Sequence, residues 1–341
     1  MNTAVTITHS ERHRVVRDLF EPRSRIYWMD FGASVLIGWI AFFIAVAVSG
    51  WPFRMAATVL AATALYRAVL FTHELVHLPR GRLRRFRLCW DLVCGVPLLV
   101  PSFLYEGVHQ EHHFRRNYGT KSDGEYLPFG TLPRSRIFLY MISHIFLPPL
   151  MVLRFGMLGP LSWVARRARR FVWKTMSSLS IDPLYRRMVP EHVPLAWVLQ
   201  ETACAIYVWS IALLLYLGEL PLSFLGVLYV VSVLILLMNA IRTLAAHRYA
   251  SDGQVMTFEE QLADSVNITA GQFTPLLAPV GLRYHALHHL FPTMPYHNLG
   301  QAHRRLRSQL PRDAVYTSTL VASIWQALRE IWRQPGSSSI P

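Results

Sequence analysis

The chain has 341 residues, of which 52% are hydrophobic, 12% aromatic and only 16% charged, with a mean hydropathy of +0.28, whereas a soluble enzyme carries about 25% charged residues. Thirty-four Lys+Arg against 20 Asp+Glu give +14, but long uncharged runs argue against a nucleic-acid partner and for lipid headgroups or an acidic protein. Three cysteines make neither a disulfide framework nor a CxxC metal knot.

From Met29 to Ser49 the sequence is apolar for long enough, as a helix, to cross a hydrocarbon core of about 30 Å. Too many residues precede it, and no small-residue cleavage site follows it, for a removable signal. Gly50-Trp51-Pro52 turns the chain, and Phe53 to Phe71 returns, with Arg54 and Arg67 near enough to its ends to snorkel. Leu88 to Leu104 and Ile137 to Leu158 are also apolar, but Asp91, Pro97, Pro101, His144, Pro148 and Pro149 interrupt them, so both are expected to be interfacial or re-entrant helices. Leu195 to Leu217 and Leu220 to Leu244 form a second pair of spans around Gly218-Glu219-Leu220-Pro221.

Arginines cluster before the first span (Arg12, Arg14, Arg17, Arg23, Arg25), between the pairs (Arg80, Arg82, Arg84, Arg85, Arg87, Arg166, Arg167, Arg169, Arg170) and after the last (Arg304, Arg305, Arg307). The positive-inside rule places all three stretches, and both termini, in the cytoplasm. The expected architecture is an all-α integral membrane protein. It has two transmembrane helical hairpins, four spans in all, plus interfacial helices and a cytoplasmic histidine-rich helical cap. The whole chain, 1–341, reads as one domain with a core at 25–310 and tails at 1–24 and 333–341.

The 15 histidines carry the chemistry. His73 with His77, His109 with His113, and His285 with His289 are each spaced i, i+4, so each pair shares a helical face, with His112 and His288 beside the second and third pairs. His247 falls just past the last span. By the topology above, all of these can meet on one side of the membrane. Nine neutral imidazoles exceed the four ligands of a zinc site, which implies two metal ions. Imidazole suits Fe, Zn, Cu and Ni alike, so ligand type does not choose the metal. A nitrogen-rich site facing the membrane fits O₂ activation by iron. His9, His13, His144, His192 and His303 read as ordinary hydrogen-bonded residues.

One rival is explicit: His73-Glu74-Leu75-Val76-His77 satisfies HExxH, the helix signature of zinc proteases, in which the glutamate is the general base. That reading leaves both HxxHH clusters and His247 unused. A metal or haem transport protein would instead show polar residues along several spans, and the first, third and fourth spans are nearly free of ionisable groups.

With these boxes in place, HxxxH, HxxHH and HxxHH in order, the chain resembles the integral-membrane fatty acid desaturase family of bacterial type over about 25 to 310. Further matching stretches are FTHELVHL at 71–78, HHFRRNYGTKSDGEYLPF at 112–129, RTLAAHRY at 242–249, EQLADSVN at 260–267 and GLRYHALHHLFPTMPYHNLGQAH at 281–303. The resemblance implies two non-haem irons, with O₂ as co-substrate, held by His73, His77, His109, His112, His113, His247, His285, His288 and His289. It also implies an acyl substrate drawn from the bilayer of a bacterial inner membrane. Two departures are Ala246, where an acidic residue often precedes the extra histidine, and Gly124, where proline is frequent. No HPGG haem motif or CxxC cluster is present, so electrons are expected from a separate ferredoxin, rubredoxin or cytochrome b5-like protein.

Double-bond insertion into a fatty acyl chain is the leading expectation. Hydroxylation or ketone formation on a fatty acyl, sphingolipid or carotenoid substrate is the alternative, because the same boxes serve both outcomes. Metal-bound imidazoles usually donate their other N–H to a carboxylate or carbonyl. On proximity in sequence the candidates are Glu74, Glu106, Glu111, Asp123, Glu125, Asp264 and Asn267, with His297 and Asn298 as further supporting groups.

Overall fold

The computed structural model describes residues 9–79, 81–311 and 314–333; the first eight residues, Arg80, Arg312, Asp313 and the tail from 334 onward lie outside them. The described chain is mainly helical, and its strands are a two-residue parallel pair, Asn267–Ile268 beside Leu320–Val321. The chain divides into two compact units, each assembled from separated segments. A span unit comprises 27–110 and 139–239; a terminal unit comprises 1–26, 111–138 and 240–341.

Among the described residues, five helices are long and apolar enough to cross a membrane: Ser24–Ala47, Trp51–His77, Arg134–Ser162, Leu195–Tyr216 and Leu222–Leu244. Four of them match the expected spans. Their outer faces carry exposed Leu36, Ile40, Phe43, Leu60 and Leu213, which suits lipid rather than water. At Gly38 a Cβ would lie 2.7 Å from Leu65 Cδ2, so glycine is what lets the first two helices approach this closely.

The fifth, Arg134–Ser162, runs on through the prolines that were expected to interrupt it. Pro148 and Pro149 lie inside Arg134–Leu153, which continues through a π turn, Arg154–Leu158, to Gly159–Ser162. Proline at 149 removes the N–H that would bond the Ile145 carbonyl, and the Tyr229 hydroxyl donates to that carbonyl instead at 3.2 Å. By contrast, Leu88 to Leu104 is broken as expected, into Arg84–Trp90, a π turn at Asp91–Gly95 and a 3₁₀ turn at Ser102–Leu104. Asp91 ties the break together, accepting from Ser102 N at 2.9 Å, Ser102 Oγ at 3.0 Å and Gln200 Nε2 at 3.0 Å.

The span unit's aromatic core stacks Phe103, Trp173 and Trp197, with Phe155 and Cys204 buried against them. Beside it lies a buried ion pair in which Arg154 Nη2 donates to Glu201 Oε1 at 2.7 Å and Arg169 takes the other carboxylate oxygen. The terminal unit has its own core of Ala245, Val266, Ile268, Ala278, Val321, Ile324 and Ala327.

Candidate metal centre

Within the span unit, His73 and His77 occupy the last turns of Trp51–His77, with ring centroids 5.3 Å apart. His109, on the short helix Val108–His112, brings its ring to 4.4 Å from His73 and 4.8 Å from His77. Two interactions fix that approach: Gln110 Nε2 donates to the Val76 carbonyl at 2.8 Å, and Tyr105 stacks on His109 at 4.9 Å. Glu74, the base required by the protease reading, is buried and accepts the Tyr27 hydroxyl at 2.7 Å.

Within the terminal unit a four-histidine group forms. His112, His247, His285 and His289 each offer a nitrogen within 4.8 Å of the others. His285 Nε2 lies 2.9 Å from His247 Nε2 and 3.1 Å from His289 Nε2, and His113 Nε2 lies 3.0 Å from His288 Nε2.

Local backbone pairing explains the convergence. His247 follows the Leu222–Leu244 helix and pairs in antiparallel fashion with Ser265, held by Val266 N to Ala246 O at 2.9 Å and Arg248 N to Asp264 O at 2.7 Å. The helix His285–Leu290 is fastened by Leu287 N to Asn267 Oδ1 at 3.0 Å, while Asn267 Nδ2 donates to Thr319. The turn after the second box needs Gly119, whose φ of +70° and 2.8 Å clearance between a Cβ and Ser251 Oγ admit no side chain. That turn presents Gly119 N to Asp123 Oδ2 at 3.0 Å.

Burial, reinforced by neighbouring His112 and His289, pushes His247 well below the usual imidazole pKa, and burial among His247, His289 and His288 does the same for His285. Both therefore stay neutral, the form that binds metal. Burial opposes charging His112 as well, but the Asp123 carboxylate outweighs it and raises that pKa. Neutral nitrogens facing one another at about 3 Å, with two buried carboxylates close behind at Asp123 and Asp264, make a donor set that suits a cation.

Sequence proximity identified Asp123 and Asp264 but missed Tyr118, which bonds both Asp264 and His247, Tyr126, which bonds Asp264, and Ser265, which lies beside His247 Nδ1. The only signal in the sequence is that the two tyrosines flank Asp123. Among the other expected supports, Glu106 accepts Trp197 Nε1, while His297 and Asn298 hold the backbone of Arg23 and Leu19. His144 contacts the Tyr140 carbonyl and His303 the Tyr316 hydroxyl, both ordinary structural roles.

The fatty acid desaturase family matches residues 49–320 of the chain. A ceramide hydroxylase from Caulobacter vibrioides is 37% identical over 321 residues, which cover 94% of this chain and 92% of that protein. No solved structure matches.

Proposed function

The chain belongs to the fatty acid desaturase family, and on that premise we propose that it is a membrane-bound oxygenase that hydroxylates a methylene of a ceramide-type lipid. The observation that carries this reading is the likeness to a ceramide hydroxylase over nearly the full length of both chains. It moves hydroxylation ahead of the desaturation expected from the histidine boxes, which serve either outcome.

His112, His247, His285 and His289 would hold one iron, and His73, His77 and His109 supply donors for a second, with His113 and His288 completing the nine. When bound, the two irons supply the oxidation of an unactivated C–H bond by O₂. Hydroxylation consumes one O₂, two electrons and two protons and yields the alcohol and water, so a separate electron-transfer protein of the ferredoxin, rubredoxin or cytochrome b5 type is required. Asp123 holds the His112 ring through Nδ1, which leaves its other nitrogen for metal. Burial of the imidazoles keeps water from competing for them.

Parity supports a four-span topology. His112 and His247 have ring centroids 5.1 Å apart, yet three candidate spans separate them in sequence. Residues that touch must be separated by an even number of complete crossings. Leu195–Tyr216 and Leu222–Leu244 form a hairpin around the left-handed Gly218, so Arg134–Ser162 is the helix that does not fully cross. The arginine-rich segments then lie together with both termini on the cytoplasmic side of a bacterial inner membrane, and the chain acts as one catalytic domain.

Expression in a ceramide-producing host under ¹⁸O₂, followed by lipid mass spectrometry, tests this. A ceramide carrying one ¹⁸O atom is expected. A product lacking two hydrogens, with no label, would support desaturation instead.

A further inference from the structure

Asp264 Oδ2 lies 3.7 Å from His247 Nδ1, too far for a hydrogen bond. The Tyr118 hydroxyl stands between them, 2.7 Å from Asp264 Oδ2 and 2.8 Å from His247 Nδ1. All three side chains are buried.

Counting hydrogens fixes the direction of this chain. Asp264 also receives the Tyr126 hydroxyl at 3.1 Å and the Ala250 N–H at 2.9 Å, so its oxygens act as acceptors. A phenol has one hydrogen to give, and Tyr118 gives it to Asp264. What Tyr118 turns toward His247 is therefore a lone pair. Ser265 Oγ, 3.4 Å from the same imidazole nitrogen, spends its own hydrogen on the Gln261 carbonyl at 3.0 Å. Both oxygens facing His247 Nδ1 accept, so Nδ1 bears the hydrogen and Nε2 carries the lone pair, 2.9 Å from His285 Nε2.

We propose that Tyr118 is a positioning residue that orients His247 and fixes its metal-binding tautomer, passing the negative charge of Asp264 to the imidazole through its hydroxyl. This rests on the reading of His247 as a metal ligand. Tyr118 is 129 residues from His247 and 146 from Asp264 in sequence, and without it the carboxylate cannot reach the ring.

The test is metal retention by full-length protein loaded with Fe(II) or, for its visible spectrum, Co(II). Tyr118→Phe keeps the ring and removes only the hydroxyl. Loss of such a supporting partner typically costs about 10–100-fold in metal affinity, and we expect faster release to a chelator by that order, with a shifted Co(II) spectrum. Asp264→Asn, which can return a hydrogen to Tyr118 and reverse the chain, should act in the same direction. Tyr126→Phe removes a hydroxyl that donates to the same carboxylate but makes no hydrogen bond to His247, and it keeps the ring that packs against His247, so its release rate and spectrum should stay near those of the wild type. Equal release rates and spectra for wild type and Tyr118→Phe would overturn the proposal. If His247→Ala also leaves the metal content unchanged, the assignment of His247 as a ligand falls with it.

Discussion

Asp123 Oδ2 lies 2.8 Å from His112 Nδ1, and neither side chain is more than 1% exposed. Gly119 N and Glu125 N donate to the same carboxylate, so the group holding His112 is itself held by backbone. Exchanging Asp123 for Asn removes the charge and lets an amide hydrogen face the ring in place of an acceptor. Metal affinity, read by competition with a chelator, should fall by about 10–100-fold with the helical content unchanged.

Histidines in the centre and histidines in the scaffold should separate cleanly. His73→Ala removes a donor packed against His77 and His109, and should lower metal content toward one iron per chain and product formation to near background. His144→Ala removes a ring bonded to the Tyr140 carbonyl within its own helix and should leave metal content unaltered. Metal analysis of the two purified variants, side by side, checks both outcomes.

The Arg154–Glu201 pair predicts a stability effect distant from the histidines. Each partner is at most 2% exposed; removing Glu201 takes the carboxylate from Arg154, typically at a cost of about 3–5 kcal/mol, whereas removing Arg154 leaves Glu201 paired with Arg169 and should cost less. Arg154→Met and Glu201→Gln should each lower the unfolding temperature in detergent. Combining the two should recover part of the loss, and strict additivity would show that the charges are not coupled.

His303 predicts a pH dependence. Burial first, then Arg307, Arg283 and Arg304, pull its pKa down to about 4, while the unfolded chain titrates near 6.5. Below about pH 6.5 the unfolded state takes a proton that the native state refuses, so stability is lost as the pH falls from about 6.5 toward 4. The slope from this one group is at most about 1.4 kcal/mol per pH unit. Unfolding temperatures at pH 7.5 and 5.5 should therefore differ less in His303→Gln than in the wild type.

What the sequence made legible follows the range of the interactions. The His73–His77 and His285–His289 pairs and the apolar runs are local patterns, and the helices place them as the spacing implies, whereas the Val108–His112 helix ends before His113. Asp123 was found because it lies 11 residues from His112. Continuity of the Arg134–Ser162 helix was not legible, since the hydroxyl that relieves Pro149 belongs to Tyr229, 84 residues from the carbonyl it bonds. The link from Asp264 through Tyr118 to His247 was hidden for the same reason.

Metal analysis of the full-length protein, purified from iron-replete cells and paired with Mössbauer spectroscopy, tests the central claim most directly. The nine histidines predict two non-haem irons per chain. A single zinc per chain, or two irons that both stay bound when His112 and His285 are replaced by alanine, would contradict it.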